Sequence, residues 1–200
     1  MKFPFFLLLC VFLSACASLK TSSEYVTRGN GYLKDAKHQQ AIKAYNQALA
    51  LNPNNLDAYE ARGAAYYLKG QYDRAVVDFE HVLSKEPYRA SLYTAYASVL
   101  AAQGRFEEAL IALNASERLR PNHAETYFAR GGVYYMLGQY PAAVADYTRT
   151  LQLRVAADVL NARANAYLQW GYNDLAERDF KLAKQENMPQ HLNGWVGLEE

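Results

Sequence analysis

The side chains that could do chemistry in this protein of 200 residues are few, and most recur in register. His38, His81, His123 and His191 fall in separate segments, without the H-x3-H pair or HExxH motif that seats a metal. Cys10 and Cys16 both precede residue 17, so the body of the protein has neither a disulfide framework nor a thiolate metal site. No G-x-S-x-G elbow or Walker loop occurs. Arg28, Arg62, Arg130 and Arg163 share one recurring slot, and Asp78, Asp146 and Asp179 share another. A row of arginines suggests an anion site. The alternative is an ion pair inside each segment: Arg62 with Asp78, Arg130 with Asp146, and Arg163 with Asp179. Four of the five segments favour the pairs. Three carry both charges, the third carries neither (Tyr96 and Ala112), and only the first has its arginine, Arg28, without the acid, at Ala44. A catalytic constellation is unique rather than repeated, so the sequence predicts no enzyme, no metal and no cofactor. With 21 basic and 20 acidic side chains and no basic run, it also lacks a nucleic-acid footprint.

The elements that must position these charges follow a beat of 34 residues. Ala41, Ala75, Ala109 and Ala143 keep that spacing, and Ala176 follows after 33. Four residues beyond each stands a large apolar side chain: Tyr45, Phe79, Leu113, Tyr147 and Phe180. Gly29, Gly63 and Gly131 share a register, with Tyr32, Tyr66 and Tyr134 three residues later. Spacings of three, four and seven put Tyr59, Arg62, Gly63 and Tyr66 on one face of a helix, and Ala75, Phe79 and Val82 mark a second helix. Gly70, Gly104, Gly138 and Gly171 fall in the turn between the two, and Pro53, Pro87 and Pro121 end the second helix. Small residues such as Gly63 and Ala75 let the two helices approach closely. Tyr32, Tyr66, Tyr134 and Tyr167 are therefore expected in equivalent sites between helices.

A 34-residue helix–turn–helix unit with these residues resembles the tetratricopeptide repeat over about residues 22–190. The resemblance implies an all-α solenoid of about five antiparallel helix pairs, wound as a right-handed superhelix. Its units are 22–55, 56–89, 90–123, 124–156 and 157–190, followed by a tail over 191–200. Two departures stand out. The third unit has Ala97 and Leu100 in place of the glycine and tyrosine, and Val155 replaces the proline before the fifth unit, where one residue is missing. A local change in stacking is expected at that junction.

The family's groove positions, carried over, include Asn30, Glu60, Tyr67, Phe128, Tyr135 and Asn165. They imply protein or peptide partners held in a concave groove of first helices. Tyr67, Phe128 and Tyr135 are candidate anchors, and the alternative is that they pack on the adjacent repeat. Val26, Ala61, Ser91 and Ala95 lack the donors with which some family members clamp a C-terminal carboxylate. Asp57, Glu60 and Glu125 favour neutral or basic segments instead. The tail carries Leu192, Trp195, Val196 and Leu198, which either cap the array or offer a contact to a partner or a second copy, giving a homodimer.

Lys2, the apolar run Phe3–Leu13 and Ser14-Ala15-Cys16 follow the layout of a secretory signal over 1–15. The run is about 11 residues where a membrane span needs ~20. Ala15-Cys16-Ala17 fits an ordinary A-x-A cleavage site. Leu13-Ser14-Ala15-Cys16 resembles the lipobox of bacterial lipoproteins, which implies cleavage before Cys16, acylation of its thiol and a short linker over 16–21. With Ala17 rather than Asp after the cysteine, the resemblance implies a membrane contact through the lipid and a place at the outer membrane, facing the periplasm. The expected function is a membrane-anchored scaffold or adaptor. The alternatives are a pilotin-like assembly factor for a pilus or secretion complex, or a homodimerising structural lipoprotein.

Overall fold

A computed structural model describes residues 21–186. The signal and acylation readings at 1–20, including Cys16, and the tail reading with Trp195 lie outside the described residues. Among the described residues there are ten α-helices and no strand, so the fold is all-α, built of successive helix pairs.

The chain divides after Lys69 into two compact units. The first contains α1 (Ser22–Lys34), α2 (His38–Leu51) and α3 (Leu56–Leu68). The second contains α4 (Tyr72–Lys85), α5 (Ala90–Ala102), α6 (Phe106–Leu119), α7 (Ala124–Met136), α8 (Tyr140–Leu153), α9 (Ala157–Trp170) and α10 (Asn173–Glu186).

Local chemistry fixes the helix ends. Thr21 opens α1 with a capping box: its side chain accepts from the Glu24 N–H, and the Glu24 carboxylate accepts from the Thr21 N–H. Asn55 caps α3 by accepting from the Ala58 N–H at 3.1 Å. The turns that follow α5, α7 and α9 share one geometry. Gly104, Gly138 and Gly171 take φ of 76°, 72° and 91°. Next to them the N–H groups of Arg105, Gln139 and Tyr172 reach back to the carbonyls of Leu100, Tyr134 and Tyr167 at 2.9 Å. The first turn makes the same bond, Lys37 N–H to the Tyr32 carbonyl at 2.8 Å, but puts Ala36 at φ 55° where the others use glycine. A methyl side chain in that region costs about 1–2 kcal/mol.

In the first unit Tyr45 is fully buried, and a Cβ added at Gly29 would overlap its ring. Tyr32 and Tyr66 pack on the cluster of Ala41, Ile42, Tyr45 and Ala65. In the second unit a Cβ at Gly131 would meet Cε1 of Tyr147 at 2.7 Å, and Tyr134 and Tyr167 pack on Ala143, Val144, Tyr147, Val159 and Ala166. The four tyrosines thus hold corresponding places, two in each unit. Ala97 and Leu100, the departures of the third repeat, are fully buried and keep the pattern apolar. Before α9 only Arg154–Ala156 separate the helices, with Arg154 and Ala156 extended.

Candidate partner-binding site

The first helices of neighbouring pairs contact each other within each unit: α1 with α3, and α5 with α7 and α7 with α9. In the first unit this side carries Asn30, exposed, with Glu60 and Tyr67 half-buried. Asn30 is held by the core beneath it, because its Oδ1 accepts from the Tyr45 hydroxyl at 2.7 Å. In the second unit it carries Phe128 and Tyr135, both half-buried, and exposed Asn165. The Phe128 ring packs 5.8 Å from that of Tyr147, and the Arg154 guanidinium lies 5.7 Å from its centroid. Tyr135 meets Tyr140 edge-on at 5.7 Å. Each of these two aromatics therefore packs on the scaffold and keeps part of its surface exposed to solvent.

The arginine slot bridges three helices. Arg130 donates from Nε to Asp146 Oδ2 at 2.7 Å and from Nη2 to Oδ1 at 3.0 Å. Its Nη1 reaches back across the pair boundary to Asn114 at 2.8 Å and Glu117 at 2.5 Å. Arg163 repeats the fork on Asp179 at 2.7 and 2.8 Å and donates to Thr148 at 3.1 Å. The hydrogen bond to Asp146 raises the Arg130 pKa, with burial opposing, and Asp179 does the same for Arg163. The bond from Arg130 holds the Glu117 carboxyl below the usual range. In the first unit Arg62 makes the same backward contact, to Asn46 at 2.7 Å, and its guanidinium lies near the rings of Tyr59 and Tyr66. Asp78 belongs to the second unit, where it is 2 % exposed. Tyr96 occupies the arginine slot of the third repeat and donates to Glu80 at 2.8 Å, with its pKa pushed up to about 12, mainly by burial. Arg28, exposed, donates to the Tyr32 hydroxyl.

Sequence reasoning missed a buried hydroxyl cluster. Thr94 on α5, Ser116 on α6 and Thr126 on α7 lie within 2.9–3.0 Å of one another, and Ser116 donates to the Ala90 carbonyl at 2.8 Å. His123 adds Nδ1 at 2.8 Å from Thr126, with its Nε2 3.2 Å from Glu125. The Glu–His–Thr order has the outline of an activated nucleophile. Thr126, however, is fully buried and shares its hydroxyl with two others, so no substrate can reach it. The cluster joins three helices. The sequence signal was a weak one: Ala48, Val82 and Ala183 but also Thr150 stand at the positions corresponding to Ser116, and Ala58, Leu92 and Val159 but also Glu24 at those corresponding to Thr126.

Among the described residues no group of three histidine, cysteine or acidic side chains could hold a metal ion, and no helix is long and apolar enough to cross a membrane. The last helix pair leaves Trp170, Tyr172, Leu175, Phe180 and Leu182 partly exposed.

Three family profiles match the protein: a TPR repeat over residues 29–70 and tetratricopeptide repeats over 56–87 and 88–154. No curated protein matches it in sequence. Among solved structures, a thermophilic TPR protein of Thermus thermophilus, TTC0263, aligns with a TM-score of 0.73 at 22% identity, over 84% of this chain and 92% of that one. PilF of Pseudomonas aeruginosa aligns with a TM-score of 0.74 at 21% identity, over 86% and 79%. A MamA protein aligns with a TM-score of 0.71 at 22% identity, over 90% and 97%. At these identities the likeness is one of fold.

Proposed function

Because the protein belongs to the tetratricopeptide repeat family, whose members generally mediate protein–protein interaction, we propose that it is a scaffold that holds segments of other proteins on the first-helix faces of its two units. One observation carries this reading. In the second unit, Phe128 and Tyr135 are anchored by Tyr147 and Tyr140, yet both remain partly open to solvent. Such rings lose little side-chain entropy when a partner covers them, which is the character of interface anchors. Tyr67 is the corresponding candidate in the first unit.

The reading extends to a tether. Acylation of Cys16 would hold the protein at a membrane, with the outer membrane and its periplasmic face as the proposed place. The five residues 17–21 reach only about 17 Å when extended, so the folded part would stay close to the lipid. Several acyl chains together, at ~0.8 kcal/mol per buried CH₂, suffice for a stable anchor where one does not.

The test is a crosslinked pull-down from native envelopes, comparing wild type with the Tyr67→Ala/Phe128→Ala/Tyr135→Ala variant. The scaffold reading expects specific partners to be lost, with the helical circular-dichroism spectrum retained; a folded variant that keeps every partner refutes it. Replacing Cys16 by Ser should release the protein into the soluble fraction, and continued membrane association would reject the lipid anchor.

A further inference from the structure

Tyr45 and Tyr147 occupy the same slot, one in each unit, and present the same ring atoms, Cδ1, Cε1 and Cζ, to the glycine opposite. Their hydroxyls meet different surroundings. That of Tyr45 donates to Asn30, which follows Gly29 on α1. The position corresponding to Asn30 in the fourth repeat is Gly132, which has no side chain to offer. A Cβ built there would find Tyr147 Oη at 3.9 Å, ordinary contact distance, and nothing else within 4 Å. Tyr147 is only 4 % exposed, yet its hydroxyl, which makes no hydrogen bond among the described residues, is not sealed off from solvent. A phenol whose ring is held in the core while its hydroxyl faces only water is a fixed donor open to an incoming acceptor. Phe128 lies against the same ring, and Tyr135 is close enough to act on it electrostatically.

Resting on the scaffold reading, we infer that the gap at Gly132 is a subsite for a neutral carbonyl of an extended partner segment, from its backbone or from an Asn or Gln amide. The carbonyl takes the place that the Asn30 amide holds in the first unit and accepts from Tyr147, while Phe128 and Tyr135 flank an apolar side chain beside it. Burial pushes the Tyr147 pKa up to about 12, so the phenol stays a donor at neutral pH. The ring sits in a buried setting, where seating a charged carboxylate costs far more than seating a neutral carbonyl, so the subsite favours the neutral group.

Two substitutions separate this site from the fold. Tyr147→Phe keeps the ring and removes only an unpartnered hydroxyl. Gly132→Asn rebuilds the pairing seen at Asn30 and Tyr45, fills the subsite, and replaces a helical glycine. Peptides selected from a random displayed library on the full-length protein are then measured against each variant by fluorescence anisotropy. The expected result is selected peptides that weaken about three- to tenfold on Tyr147→Phe and lose detectable binding to Gly132→Asn, while the melting temperature is unchanged in the first variant and raised in the second. Peptides that weaken on Phe128→Ala but bind both variants like wild type overturn the Tyr147 subsite and leave the scaffold reading standing. Peptides indifferent to Phe128→Ala as well, or a library that yields no binder, overturn both.

Discussion

Asp146→Ala probes the electrostatic core of the second unit. The Asp146 and Arg130 side chains are 10 % and 12 % exposed, so the pair sits in a region that screens little. Truncating Asp146 removes both bonds of the fork and leaves the Arg130 guanidinium buried with two remaining acceptors, Glu117 at 2.5 Å and Asn114 at 2.8 Å. Breaking a buried ion pair from one side costs about 3–5 kcal/mol, and the retained Glu117 contact places this variant at the lower end, about 3 kcal/mol. With a urea m-value of about 2 kcal/mol per M, the unfolding midpoint falls by roughly 1.5 M. The assay is urea denaturation of wild type and variant followed by far-ultraviolet circular dichroism. Adding Arg130→Met to Asp146→Ala should restore most of the loss, because the uncompensated charge is then gone. A variant with an unmoved midpoint, above all one that also lost a partner, would refute the structural assignment of the arginine slot and return it to anion or ligand binding.

Further outcomes follow from single contacts. Ala36→Gly should stabilise the first unit by about 0.5–1 kcal/mol in thermal unfolding, since relief of the left-handed strain at φ 55° outweighs the extra freedom of the unfolded state. Ser116→Ala should cost about 1–3 kcal/mol in the same measurement, because it leaves the Ala90 carbonyl and the hydroxyls of Thr94 and Thr126 each short of a partner. The Glu117 pKa is depressed in the folded state, so its stabilisation is complete above its ordinary value of 4.5 and is lost as pH falls through the lower folded value. Urea midpoints recorded from about pH 5 to about pH 3 should therefore fall more steeply for wild type than for Glu117→Gln.

The architecture was legible because the repeat imposes the same packing problem five times. The alanine and proline beats marked the helices, and the helix starts at 22, 56, 90, 124 and 157 coincide with the start of each repeat. The glycine register marked four of the turns, whereas Ala36, 34 residues before Gly70, was recognised as its counterpart only from its positive φ. What a repeat register cannot show is where a side chain reaches outside its own pair. The backward bonds of Arg62 to Asn46 and Arg130 to Asn114, like the contact of Glu117, depend on how one pair stacks on the next. The hydroxyl cluster escaped because its three members stand in three different registers and meet only in space. Tyr147 read as core, which it is; that its hydroxyl lacks an acceptor emerges only when Gly132 is set beside Asn30 in three dimensions.

The central claim is that partners are held on the first-helix faces. Photocrosslinking in intact cells tests it most directly, with a photoreactive phenylalanine analogue placed singly at Tyr67, at Tyr135 and, for contrast, at Ile111, a second-helix residue 68 % exposed. The account predicts discrete adducts to other proteins from Tyr67 and Tyr135 and none from Ile111. Adducts from Ile111 with none from the two tyrosines would contradict it.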